Sequence, residues 1–185
     1  MTANRAGALI VRRLAAHEWP LYRALRLRAL GDAPDAFGMT LAEAELRTGN
    51  DWAWVLNLGA TSGRDLPLVA ELDGSASGMA WAKVDANDPS RVNLYQVWVA
   101  PERRGHGVAA ALLDTALAWA RARNAREMQL GVVCGNDAAR RLYERAGFRA
   151  LGEPEPQRPG ASQMEQTMRL ELVGWSAPPL RHDHR

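Results

Sequence analysis

The spacing of apolar residues changes character twice along the chain, from helical to alternating near Leu66 and back to helical after Gly107. Ala8 to Leu14 (ALIVRRL) predicts a short first strand. His17-Glu18-Trp19-Pro20 then opens a helix, with Pro20 in the first turn, where its missing N–H is not needed. Leu21, Leu25, Leu27 and Leu30 give that helix an apolar side, and Gly31 ends it. Asp32 to Gly38 reads as a loop. Thr40 and Glu43 have the spacing of a capping box, so a second helix is expected from Leu41 to about Arg47. Asn50 or Asp51 is expected to cap a further turn carrying Trp52, Trp54, Val55 and Leu58, ahead of a loop from Gly59 to Asp65.

Strand patterns follow at Leu66–Leu72, Met79–Ala86 and Val92–Val99, separated by turns at Asp73–Gly78 and Asn87–Ser90. Together they predict an antiparallel meander. A helix is expected from about Gly107 to Arg123, then a strand at Glu127–Val133. Asn136 and Asp137 stand where an N-cap belongs, opening a helix over Ala138–Ala146 that Gly147 ends. Phe148–Leu151 and Met164–Leu172 are the final strands, with a proline-rich loop between them, and Gly174–Arg185 reads as a flexible tail after a single domain over residues 1–173. The order β-α-α-β-β-β-α-β-α-β-β joins a meander to one β-α-β crossover. The fold class is therefore α+β, with a mixed, mostly antiparallel central sheet flanked by helices.

Composition narrows the class without naming a chemistry. Hydrophobic residues make up 47% and charged residues 24%, as in ordinary soluble globular proteins. No apolar run approaches a membrane span, and the amino terminus lacks a signal-peptide core, so the expected compartment is the cytoplasm. A net charge of +2 is not a nucleic-acid footprint, and the arginine islands at 103–104, 121–126 and 140–149 suit a small phosphorylated ligand as well as a polynucleotide. One cysteine, Cys134, excludes an internal disulfide and a multi-cysteine metal site, and no metal is expected. Homodimerisation through the last strands stays open.

The candidate chemistry lies in Val92–Leu113, where a strand breaks at Pro101, passes Gly105 and Gly107 and becomes an alanine- and leucine-rich helix. The first amides of a helix have no internal partners and carry the positive end of its dipole, so such a loop can hold a phosphate. Glycines let the backbone approach the oxygens. A plain strand-to-helix turn is the alternative. Val108-Ala109 stand where a Walker loop needs Lys and Ser/Thr, and Ala110 stands where a dinucleotide loop needs its third glycine.

Arg104-Gly105-His106-Gly107-Val108-Ala109 fits the pattern Q/R-x-x-G-x-G/A, and Asn136 to Phe148 fits N-x-x-A-x-x-L-Y-x-x-x-G-F. In both respects the chain resembles the GNAT superfamily of acetyl-CoA-dependent N-acetyltransferases, densely from Leu66 to Leu172 and weakly before that. The resemblance implies a sheet splayed between its fourth and fifth strands, with acetyl-CoA as cosubstrate. It implies that Arg104, Gly105, His106, Gly107, Val108, Ala109 and Ala110 hold the pyrophosphate. Val97, Trp98 and Val99 would hold the pantetheine arm as an added strand, with the Val97 N–H on the thioester carbonyl. Asn136 would reach the arm, cap its helix, or both.

Tyr143 resembles the family's general acid, since a phenol of pKa about 10 can protonate a thiolate whose thiol has a pKa near ~8.5. The alternative is a helix tyrosine packed in the core. The base is missing where some relatives carry a glutamate, because Asn93 stands there; Glu71, Asp85 or a water relay past Tyr95 remain as substitutes. Cys134 raises an acyl-cysteine route, and Trp52, Trp54 and Trp98 raise an acceptor pocket, with core packing as the alternative for each. The expected function is acetyl transfer to a primary amine of a small-molecule or peptide acceptor by direct attack in a ternary complex. The rival is a non-catalytic acyl-CoA-binding sensor or interaction module.

Overall fold

Residues 8–172 are described by the computed structural model, so the expected tail at 174–185 lies outside the described residues. The strands are β1 (Leu9–Arg13), β2 (Asp65–Leu72), β3 (Ser75–Val84), β4 (Arg91–Val99), β5 (Glu127–Val133), β6 (Arg149–Ala150), β7 (Glu155–Pro156) and β8 (Met164–Glu171). The helices are α1 (Trp19–Asp32), α2 (Leu41–Glu45), α3 (Gly49–Thr61), α4 (Val108–Ala122) and α5 (Asp137–Arg145). The sheet order is β1-β2-β3-β4-β5-β8-β6, with β7 paired to β8. All pairs are antiparallel except β4 and β5, which run parallel as the crossover through α4 requires. No helix among the described residues is long and apolar enough to cross a membrane.

Strand alternation feeds two cores, one on each face of the sheet. Leu66, Leu68 and Ala70 of β2 and Ala80, Ala82 and Val84 of β3 point to the face covered by α4, through Leu112, Leu113, Ala116 and Leu117. Val69, Met79 and Trp81 point to the other face, where Tyr22, Leu25, Ala29 and Leu30 of α1 and Trp52 and Leu56 of α3 cover them.

The parity of β4 reverses midway. Val92 and Leu94 face α4, yet Trp98 joins the opposite core and Val99 returns to the α4 side. An extra residue in β4 causes this. Met79 pairs with Trp98 but Trp81 pairs with Tyr95, so two steps on β3 oppose three on β4. Gln96 sits at the bulge with φ 57°, and its Oε1 accepts a hydrogen bond from the Tyr22 hydroxyl at 3.1 Å. The pairing of β4 with β5 ends at Leu94–Leu130, although both strands continue, and this opens the expected splay.

Several expected boundaries move. Helix α1 runs through Gly31 to Asp32, and α2 stops at Glu45, two residues short of Arg47. Thr48, not Asn50 or Asp51, is the N-cap of α3; its side chain accepts from the Asp51 N–H at 3.3 Å while the Asp51 carboxylate accepts from the Thr48 N–H at 2.7 Å. The expected single turn is a helix of 13 residues that includes Gly59, which the sequence places in a loop. A Cβ at Gly59 would lie 2.1 Å from the Trp81 ring, so the missing side chain is what lets α3 lie on β3. The turn expected over Asp73–Gly78 contracts to Asp73-Gly74, both at positive φ, and β3 starts at Ser75 and ends at Val84 rather than Ala86. Only Arg149 and Ala150 of the expected Phe148–Leu151 strand pair, and Phe148 is fully buried instead.

Candidate active site

Two cavities meet where β4 and β5 part. The larger, about 550 Å³, runs along the start of α4; the smaller, about 280 Å³, lies in the splay. They share Phe37, Val97, Asn136, Ala139 and Tyr143 among their walls.

The larger cavity collects every residue the sequence marks for donor binding except His106. Gly107 is the N-cap of α4, with φ 78°, a left-handed value that costs a residue bearing a Cβ about 1–2 kcal/mol. Having no side chain, it makes no capping bond, and the first internal bond of the helix runs from the Ala111 N–H to the Gly107 carbonyl at 3.0 Å. The amides of Val108, Ala109 and Ala110 therefore stand ahead of the hydrogen-bonded ladder. Nothing lies within 4 Å of where a Cβ of Gly105 or Gly107 would be, so the backbone faces open space. Arg103 and Arg145 add positive charge to the wall. Unpartnered amides at a dipole's positive end, with open space in front, fit a diphosphate.

Arg104 lines the cavity and is also tied to the fold. Its guanidinium is held by the Asp32 carboxylate, and its Nε donates to the Val99 carbonyl at 3.2 Å. Asp32 also accepts from Trp98 Nε1 at 2.8 Å, so this cluster fastens the glycine loop and β4 to the end of α1. His106 is exposed, with Nδ1 2.9 Å from the Arg104 carbonyl, and does not line the cavity.

On β4, the Ala100 N–H bonds to the Ser77 carbonyl at 2.9 Å on the β3 side. By alternation, Trp98 shares that side and the polar groups of Val97 and Val99 face the open edge. The indole of Trp98 is buried in the core, as is Trp52. Neither ring is an acceptor-pocket wall of the splay. Trp54 is 65% exposed and borders a separate cavity of about 570 Å³ with Trp81, Asp65 and Tyr95.

Helix α5 is capped by Asn136, whose Oδ1 accepts from the Ala139 N–H at 3.2 Å. Two turns on, Tyr143 is buried against Phe148, ring centroids 5.9 Å apart and edge to face. It nonetheless borders both cavities. Burial pushes its hydroxyl above the usual phenol range, so it is protonated throughout neutral pH.

The carboxylates the sequence offers as bases are otherwise engaged. Glu71 is bonded to Arg12 at 2.7 Å and borders none of these cavities. Asp85 borders the third cavity and is held below its ordinary range by hydrogen bonds, first from Asn93 at 2.8 Å and then from the backbone of Asn87 and Asp88. Sequence reasoning misses Glu165, the carboxylate in the splay cavity. It reaches there from β8, opposite Val133, by crossing the face of Gly131, where an added Cβ would lie 2.1 Å from Glu165 Oε1. Burial raises its pKa above the ordinary carboxylate value, against a hydrogen bond from Gln157. An isolated glycine inside the β5 pattern was the available signal, because it marks a close approach. Cys134 is exposed; its backbone N–H bonds to the Met164 carbonyl at 2.9 Å.

The family model described as Acetyltransferase (GNAT) family matches residues 30–148, more than half of the chain. A mycothiol acetyltransferase of Beutenbergia cavernae is 31% identical over 137 residues, covering 71% of this chain. The chain spans 40% of that relative's length. Among solved structures, a GNAT-family acetyltransferase of Streptococcus pneumoniae superposes with a TM-score of 0.77 at 23% identity, over 89% of this chain and 99% of its own. A Salmonella typhimurium structure containing its cofactor acetyl-CoA gives 0.73 at 21% identity, over 94% and 99%. The splayed sheet, the glycine loop and the family match agree, and the chain belongs to the acetyltransferase (GNAT) family.

Proposed function

We propose that the chain moves an acetyl group from acetyl-CoA to a primary amine by direct attack in a ternary complex. One observation carries this: a cavity along the start of α4 and a smaller second cavity meet at Val97 and Tyr143, with Glu165 in the second. Pyrophosphate binds at the amides of Gly105 to Ala110, and the pantetheine arm adds to the open edge of β4 at Val97–Val99. The Val97 N–H stabilises charge developing on the thioester oxygen.

An alkyl amine has a pKa of about 10.4 and is mostly protonated at neutral pH, so it needs a base before it can attack. Glu165 takes that proton. The nitrogen bonds to the carbonyl carbon as the carbon–sulfur bond breaks, the leaving thiolate takes a proton from Tyr143, and the surplus proton on the new amide nitrogen returns to the Tyr143 phenolate while Glu165 releases its own to solvent. The absence of glutamate at Asn93, which favours a binding module when only the sequence is read, loses its force because β8 brings another carboxylate, Glu165, to the splay cavity.

Initial rates measured while varying both acetyl-CoA and amine should give intersecting reciprocal lines. Cys134→Ala should retain the rate to within about twofold, as an exposed surface substitution outside the reacting groups would. Parallel lines together with an inactive Cys134→Ala would instead establish an acyl-cysteine route.

A further inference from the structure

Arg26 lies on the buried side of α1, one helical turn beyond Tyr22, and is 6% exposed. Its guanidinium sits over the Phe37 ring, 4.5 Å from the centroid, and borders the splay cavity. Nη1 is buried without a hydrogen-bond partner, and no carboxylate of the described residues forms an ion pair with Arg26. Burial lowers its pKa first of all; the Tyr22 hydroxyl works against this, and the like charge of Arg47 adds to it. A buried charge without a counter-ion is strongly unfavourable, and a guanidinium stays protonated at any ordinary pH. An anion entering the cavity would relieve that cost by pairing with the guanidinium.

We infer that the acceptor bears a carboxylate, which pairs with Arg26 in the splay cavity while its amine faces Glu165 and Tyr143. The planar fork of a guanidinium matches a carboxylate. A cavity of about 280 Å³ is at the small end for ligand sites, which favours an acceptor the size of a small amino acid. The substrate class proposed here rests on the amine-acetylation function above.

Product binding separates the two proposals, and it avoids the different amine pKa values of amino acids and alkylamines. N-Acetylalanine and N-ethylacetamide differ only by the carboxylate. Titrated calorimetrically into the full chain with CoA present, N-acetylalanine should bind at least about tenfold more tightly, as expected for hydrogen bonds to a charged group. Arg26→Leu should erase the difference, and Arg26→Lys should keep part of it. Arg26→Leu should also melt no lower than the parent, since it removes an unpaired buried charge. Equal binding of the two compounds would overturn the inference, as would a carboxylate preference that survives Arg26→Leu. Acetylation of amines without dependence on Arg26 would overturn it while leaving the proposed function intact. Arg26-dependent binding of N-acetylalanine without any amine acetylation would uphold the anion site and remove the proposed function.

Discussion

Tyr143→Phe should lower kcat by about 10²-fold or more, the usual contribution of a positioned general acid, which corresponds to roughly 2.7 kcal/mol in the barrier. The dissociation constant for acetyl-CoA should hardly change. The ring is kept by the substitution, so its edge-to-face contact with Phe148 survives and the fold is undisturbed. Only the hydroxyl is lost, and the amides of the α4 amino terminus, which hold the pyrophosphate in this account, are untouched. Because burial raises the pKa of this hydroxyl, no loss of activity from its ionisation should appear near neutral pH. Stopped-flow thiol release checks the rate and direct titration checks the affinity. A Phe variant as fast as the parent would remove Tyr143 from the mechanism.

Glu165→Gln should lower kcat by a similar factor, about 10²- to 10³-fold, and should change the shape of the pH profile as well. The base works ionised. Parent activity should therefore rise with pH through the Glu165 pKa, which burial places above the ordinary carboxylate value, and the variant should lack that limb. Stability carries the opposite sign. A carboxyl whose folded pKa is raised favours the fold below its unfolded pKa and loses that contribution as pH climbs through the folded pKa. At neutral pH the Gln variant should thus melt at or above the parent temperature.

Gly131→Ala offers an independent approach to the same carboxylate. The new Cβ would occupy the space now held by the end of the Glu165 side chain, which can swing away without moving backbone. The chain should fold, bind acetyl-CoA normally and share the kinetic defect of Glu165→Gln. Full activity in Gly131→Ala, with a parental pH profile, would show that the position of Glu165 is irrelevant.

The proposed donor half of the site is legible in the sequence because it is local. Glycine placement, the switch from alternating to helical spacing and the Asn136 cap all act within a few residues, and they bring Val97–Val99, Gly105, Gly107–Ala110, Asn136 and Tyr143 to one cavity wall. What stays hidden depends on contacts between distant segments. Gln96 does not advertise a left-handed backbone, so the bulge that reverses the parity of β4 is invisible before β3 pairs with it. Gly59 reads as a loop glycine until Trp81 is seen against it. The tie between Arg104 and Asp32, which arrives from the end of α1, is likewise invisible in the sequence.

The second half of the site has the same cause. Glu165 enters the splay only because β8 pairs with β5 and Gly131 leaves it room. Arg26 reads as one arginine in a polar-looking helix, yet Tyr22, Leu25, Ala29 and Leu30 bury the face that carries it. A charge at helical spacing within an apolar stripe was the signal there.

The most direct measurement mixes the chain with isotope-labelled acetyl-CoA and a panel of amines that includes small amino acids, then quantifies free CoA and N-acetylated amine together by mass spectrometry. Equimolar appearance of the two, dependent on both the amine and Tyr143, is the predicted result. Saturable acetyl-CoA binding with no amine acetylated and no CoA released would contradict it, and would leave the chain a binding module.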